Sequence, residues 1–131
     1  MRASHARFTV TAGALIFNDK GEILLLKHRF RAGSGWGLPG GFLNAGEQPL
    51  DALKRELREE IGVEVEDAEV FAARGFKKPR QVEVLFRCRV TGIAKPRTME
   101  VELAQWFSID CLPDGLPHDQ RGFIERAAKT E

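Results

Sequence analysis

The sequence predicts an α/β fold in a single domain over residues 1–131. Three observations carry that. Short aliphatic runs recur between turn-forming residues, as strands do. Two stretches, one central and one C-terminal, space apolar residues three and four apart, the stripe of an amphipathic helix. One segment, Gln81 to Thr91, alternates apolar and polar side chains with the period of two of a half-buried strand.

The elements follow in chain order. Phe8 to Phe17 and Glu22 to Lys27 are expected strands around an Asn18-Asp19-Lys20-Gly21 turn. Ala32 to Gly41 is rich in Gly and Pro and reads as a loop. A helix should run from Pro49 to Ile61. Leu50, Leu53, Leu57 and Ile61 form its stripe, Pro49 suits a first turn, and Gly62 stands where a left-handed cap belongs. Val63 to Arg74 should hold a strand. In Gln81 to Thr91, Val82, Val84, Phe86, Cys88 and Val90 share one face. Ala104 to Ile109 should be another short strand. Pro117 to Lys129 should be a terminal helix with Phe123, Ile124 and Ala127 inward.

Composition fits a soluble globular domain. The chain has 43% hydrophobic residues and a net charge of +1, which excludes neither a core nor ordinary solubility. Cys88 and Cys111 form no zinc or C-x-x-C spacing, so free thiols in the cytosol are expected. The apolar run from Val10 to Phe17 is too short to span a membrane and lacks a signal-peptide plan. The expected location is cytoplasmic, with no membrane partner.

The central helix carries an unusual charge pattern. At about 100° per residue, Glu59, Glu56 and Glu60 fall at roughly −60°, 0° and +40° around its axis, beside the apolar stripe. Two unit charges about 5 Å apart repel by roughly 3 kcal/mol at an effective dielectric of about 20. Acids near a helix C-terminus also face the wrong end of the dipole. Two readings are open from the acids alone. One is a solvated face partnered by Lys54, Arg55 and Arg58. The other is a site for a hard divalent cation, which takes carboxylate oxygens and substrate phosphates together.

The flanking residues bear on that choice. Gly41 is followed by five residues and Glu47, then by seven residues and Arg55-Glu56-Leu57-x-Glu59-Glu60-x-Gly62-Val63. This resembles the signature of the Nudix hydrolase family at every fixed position. The resemblance implies a Nudix-type α/β/α sandwich with a mixed β-sheet. It implies hydrolysis, at the pyrophosphate, of a nucleoside diphosphate linked to another group, with Mg²⁺ or Mn²⁺ as cofactor. By the family's pattern Glu59 and Glu60 are the principal metal ligands, and Glu56 is a further ligand or the base. The carbonyl of Gly41 also coordinates metal. Arg55 orients the acids by bridging to carboxylates such as Glu47; the alternative is a surface ion pair of little energetic value.

Other candidates lie outside that motif. In Met99 to Phe107, Glu100 is the first candidate for a later metal ligand or base, and Glu102 the second; a solvated loop acid is the alternative for either. Trp36 is a candidate for stacking on a base, against a packing role. His28 reads as a strand-end surface residue, and His5 and His118 have no nameable partner. From Phe71 to Met99 eight bases face one acid, Glu83, which would suit a polyanionic substrate. Arg87 and Arg89 read as outward residues of the alternating strand. Phe76, Lys77, Lys78 and Arg80 are the candidate substrate contacts, with Phe76 offering a ring and the three cations reaching phosphate. Pro79, sixteen positions after Val63, resembles the pattern of the ADP-ribose pyrophosphatase branch and would stiffen that turn.

The expected substrate is therefore a small nucleotide, ADP-ribose or a similar nucleotide sugar first, with MutT-type cleavage of nucleoside triphosphates as the alternative. RNA 5′ ends are the one nucleic-acid alternative. A non-catalytic Nudix-like ligand sensor is the alternative of another class, although such modules typically lose acids from the motif. Nudix enzymes are often homodimers, and no residue here decides that.

Overall fold

A computed structural model describes residues 5–130. The strands are β1 (Thr9–Ile16), β2 (Ile23–His28), β3 (Trp36–Gly37), β4 (Gly40–Phe42), β5 (Glu64–Phe76), β6 (Gln81–Thr91) and β7 (Val101–Phe107). The helices are α1 (Pro49–Ile61) and α2 (His118–Ala128), with a 3₁₀ turn at Ile109–Cys111 before α2.

Two sheets form. One has the order β4-β1-β6-β5; β1 and β6 run parallel and the other pairs antiparallel. The other is antiparallel, in the order β3-β2-β7. The apolar runs of β1 and β2 do not alternate with polar residues because both faces are covered. On one side, Ala12, Ile16, Leu24 and Leu26 pack with Leu53, Leu57 and Ile61 of α1. On the other, Leu15, Ile23 and Leu25 pack with Phe123, Ile124 and Ala127 of α2. The result is an α/β/α sandwich, the architecture the resemblance implies.

Helix α1 has the bounds that its stripe predicts. Gly62 caps it at φ 72°, and its N–H donates to the carbonyls of Leu57 and Arg58 at 3.0 and 3.2 Å. A residue with a Cβ is disfavoured in that left-handed conformation.

The Gly/Pro-rich stretch is where sequence and structure part. Ala32 to Gly41 is not all loop: it holds β3 and the start of β4. Glycine depresses strand propensity, which hides both strands in the sequence. Here it serves close approach, for a Cβ on Gly40 would overlap the Ala12 carbonyl of β1. The last strand also starts earlier than alternation suggests, at Val101 rather than Ala104, because Val101 pairs with His28 past a register shift. On β6 the shared apolar face is present, but Leu85 on the opposite face is buried under α2's core as well.

Candidate active site

The stripe of α1 turns Leu53, Leu57 and Ile61 fully inward. The acid edge therefore lies against the sheet rim, and burial grades along it. Glu59 is exposed, Glu56 is half-buried, and Glu60 is only 8% exposed. One oxygen of Glu60, Oε1, is buried without a hydrogen-bond partner among the described residues. Strand β4 brings Gly41 against the same edge, where a Cβ would collide with the Glu56 carboxyl group.

Arg55 ties the edge together. Its Nε and Nη2 donate to the two Glu47 oxygens at 2.9 and 3.0 Å, a fork on a carboxylate. Nη1 donates to Glu56 Oε1 at 2.9 Å and lies 3.6 Å from Glu59. Nη2 also donates to the Phe42 carbonyl at 3.0 Å, locking the helix to β4. One guanidinium thus fixes the loop acid, a helix acid and the strand that carries Gly41.

Glu100 arrives from far along the chain. The Arg97 and Lys95 amides donate to the Glu60 and Ile61 carbonyls at 2.8 and 3.1 Å, so this loop caps the C-terminus of α1. Arg29 then donates to the Glu100 carbonyl at 2.8 Å. These bonds put Glu100 in the wall of a cleft that also includes Glu56 and Glu60. Glu102 faces elsewhere, 3.6 Å from both Lys27 and Arg29.

The electrostatics follow from this crowding. Burial pushes Glu60 up to about 7, helped by the charges of Glu56 and Glu100 and opposed by Arg31. Glu56 is raised too, by burial first, with the Arg55 hydrogen bond pulling the other way. Glu47 goes the opposite direction, to about 2, because Arg55 donates to it. Among the described residues no three His, Cys, Asp or Glu side chains already enclose a cation site. The donor set nonetheless suits a hard divalent ion: carboxylate oxygens, one of them buried and unpartnered, beside a backbone whose missing Cβ leaves room.

The cleft has a volume of about 660 Å³. Beyond the acids, its wall includes Phe76, Arg74, Gln81, Glu83 and Asp119. Phe76 lies three strand spacings across the sheet from β4, roughly 14 Å away. Arg74 stacks between Phe76 and Phe123, 4.6 and 4.7 Å from their centroids. Its Nε donates to Glu83 at 2.7 Å, and Nη2 lies 2.8 Å from Asp119.

Several candidates lie away from this cleft. Lys77, Lys78 and Arg80 are exposed on the β5–β6 turn and form no part of its wall. Trp36 is also outside it, edge-on against Phe107 at 5.0 Å with Lys27 above it. Part of the basic stretch is paired within the chain. Arg87 is half-buried over Phe17 and donates to the Ala127 carbonyl, and Arg89 pairs with Asp19.

Two cleft residues have no clear signal in the sequence. His28 is at the end of β2 but half-buried rather than on the open surface. It lines the cleft, burial lowers its pKa, and its Nδ1 lacks a partner among the described residues. Arg31 also lines the cleft, whereas Arg29, two residues earlier, turns outward to Glu102. Nothing in the spacing of "HRFR" separates the two arginines; only the path of the loop does.

Comparison with known proteins agrees with this architecture. A family profile for the NUDIX domain matches residues 7–127. A NAD-capped RNA hydrolase from Pseudomonas aeruginosa is 40% identical over 74 residues, which cover 56% of this chain and 27% of that protein. The chain thus corresponds to about a quarter of that relative's length. A crystal structure of a MutT NUDIX hydrolase from Burkholderia pseudomallei superposes with a TM-score of 0.81 at 30% identity, covering 92% of this chain and 98% of that one. An ADP-ribose pyrophosphatase from Streptococcus suis superposes with a TM-score of 0.77 at 28% identity, covering 94% and 93%. With the motif's three glutamates on one helix edge and the NUDIX profile running nearly end to end, the chain belongs to the Nudix hydrolase family.

Proposed function

We propose that this chain is a pyrophosphohydrolase dependent on Mg²⁺ or Mn²⁺ that cleaves a nucleoside diphosphate joined to another group, with ADP-ribose or a similar nucleotide sugar as its best substrate. The observation that carries the reading is the single cleft joining the α1 acids to the Phe76 ring. Its volume falls within the usual range of about 300–1,000 Å³ for small-ligand sites. A dinucleotide-like substrate needs what that cleft offers: a metal end for the pyrophosphate and an aromatic face some distance away.

Glu59, Glu60, Glu56 and the Gly41 carbonyl would hold the metal, which when bound neutralises phosphate oxygens and acidifies the attacking water. Arg55 keeps Glu56 and Glu47 in place. Glu100 takes the proton from the water, because Glu56 is already engaged by Arg55 while the Glu100 side chain makes no ion pair among the described residues. Water adds to one phosphorus and the bridging P–O bond breaks. ADP-ribose and water then give AMP and ribose 5-phosphate.

The near end-to-end superposition on a MutT hydrolase supports a second reading, cleavage of a nucleoside triphosphate. Similarity to an RNA-cap hydrolase supports a third, which salt-sensitive RNA binding would reveal. The test is hydrolysis of a nucleotide panel with Mg²⁺ and with Mn²⁺, products identified. ADP-ribose should have the highest kcat/KM. A triphosphate better by tenfold, about 1.4 kcal/mol of transition-state stabilisation, replaces the first reading by the second.

A further inference from the structure

We propose that Arg31 is the cation that orients the substrate's pyrophosphate, gripping a non-bridging oxygen from a seat on the bare backbone of Gly37. The inference rests on the proposed function and names a residue that the family motif does not contain.

The charges of the cleft motivate it. Its wall carries five carboxylates (Glu56, Glu60, Glu83, Glu100 and Asp119) against two guanidiniums, Arg31 and Arg74. A polyanion entering such a cleft is repelled unless cations meet its phosphates. Arg74 is not available for that. It is engaged by Glu83 and Asp119 and stacked between two rings. Arg31 is different: among the described residues it makes no hydrogen bond and no ion pair. The residue is exposed at the rim, but its guanidinium borders the cleft, where burial lowers its pKa and the Glu60 charge within its reach raises it. A cation in the cleft wall with no partner among the described residues is free to meet an anion that the protein itself does not supply. A planar guanidinium suits phosphate oxygens through two parallel donors.

Gly37 provides the seat. It sits on β3, paired with Leu26 of β2. A Cβ there would overlap Arg31 Nη1 and lie 3.3 Å from Gln120 Oε1. Gln120 in turn accepts the Leu38 amide at 2.9 Å, which pins α2 to this strand. An alanine at position 37 would thus displace the far end of a flexible side chain rather than backbone. Gly37→Ala becomes a way to move the Arg31 charge without deleting it.

The experiment measures binding of inorganic pyrophosphate by calorimetry in Mg²⁺, alongside kcat and KM for ADP-ribose. Arg31→Ala should weaken pyrophosphate binding at least tenfold, with an unchanged melting temperature. Arg31→Lys should recover only part, since an ammonium lacks the fork. Gly37→Ala should weaken binding in the same direction, and should add nothing in the Arg31→Ala background. Wild-type affinity in Arg31→Ala, a further loss from Gly37→Ala in that background, or no pyrophosphate binding by the wild type would each overturn the proposal. The proposed function fails separately, if the wild type binds pyrophosphate through Arg31 yet hydrolyses no nucleotide of the panel.

Discussion

At the α1 end of the cleft, Glu56, Glu59, Glu60 and Arg55 come from little more than one turn of helix, with Gly41 and Glu47 close by in sequence. At the β5–β6 end, Arg74, Phe76, Gln81, Glu83 and Asp119 come from two strands and a helix that starts more than thirty residues later. The first end is crowded with like charge and held by one arginine. The second is partly neutralised within itself, both Glu83 and Asp119 facing the one Arg74 guanidinium. A helix converts sequence spacing directly into angle, so the first end depends on local residue order. The second depends on tertiary packing. If the proposed function holds, damage to the two ends should differ in kind.

The largest effect should follow loss of an α1 acid. Glu59→Gln or Glu60→Gln should lower turnover by at least about a hundredfold, since metal-assisted charge stabilisation is worth several kcal/mol. Excess chelator should do the same to the wild type. Folding should move the other way. The folded-state pKa of Glu60, about 7, lies above the ordinary 4.5. The folded metal-free chain therefore holds the extra proton between these values, and its stability falls as pH rises through that window. Glu60→Gln should remove a destabilisation of up to about 3 kcal/mol at pH 8. The Glu47 carboxyl, held at about 2, contributes the opposite slope below pH 4.5. Melting curves of metal-free protein from pH 5 to 8 check this. A Glu60→Gln variant whose melting temperature tracks the wild type at both ends of that range would show that Glu60 is not strained.

Arg55→Ala should come next, costing about 10- to 100-fold in activity or metal affinity, as residues that orient metal ligands typically do. Its bonds to Glu47, Glu56 and the Phe42 carbonyl all act on the geometry of the acids. The decisive quantity is specific activity of the folded fraction. If that stays normal while the melting temperature drops, Arg55 only joins helix to strand.

Legibility followed the same division. The bounds of α1 and its cap at Gly62 are readable because each is a matter of residues a few positions apart, and the bridging of Arg55 to Glu47 is readable because the family resemblance implies it. Strand β6 is readable because alternation survives along it. By contrast β3 and β4 are two and three residues long and made largely of glycine, so no periodicity can announce them. His28, at the end of β2, and Arg31, in the β2–β3 connection, line the cleft beside the close-packed Gly35 and Gly37, a tertiary placement that no motif announces. The run of bases from Phe71 to Met99 looked like a surface field, yet Arg74, Arg87 and Arg89 are engaged inside the chain or with one acid each.

At the second end, Phe76→Ala should lower kcat/KM for ADP-ribose by about tenfold, mostly through KM, because stacking of a base on an aromatic ring is worth about 1–3 kcal/mol. Arg74 covers one face of the ring, so a base would have to stack on the other. An equal loss for ADP-ribose and for inorganic pyrophosphate binding would place Phe76 at the phosphates instead.

The smallest effects should belong to the turn itself. Lys77, Lys78 and Arg80 are exposed and outside the cleft wall, on either side of Pro79. Exposed charges more than about 8 Å from a phosphate are largely screened at physiological ionic strength. Each alanine variant should therefore change kcat/KM for ADP-ribose less than about threefold in 150 mM salt. If these cations steer the substrate, the effect should grow as salt is removed and should appear in kcat/KM rather than kcat. A drop beyond tenfold in either lysine variant at physiological salt has a different meaning. The turn would then have to close over the bound nucleotide and bring a lysine to its phosphates, and the second end of the cleft would be completed by substrate rather than preformed.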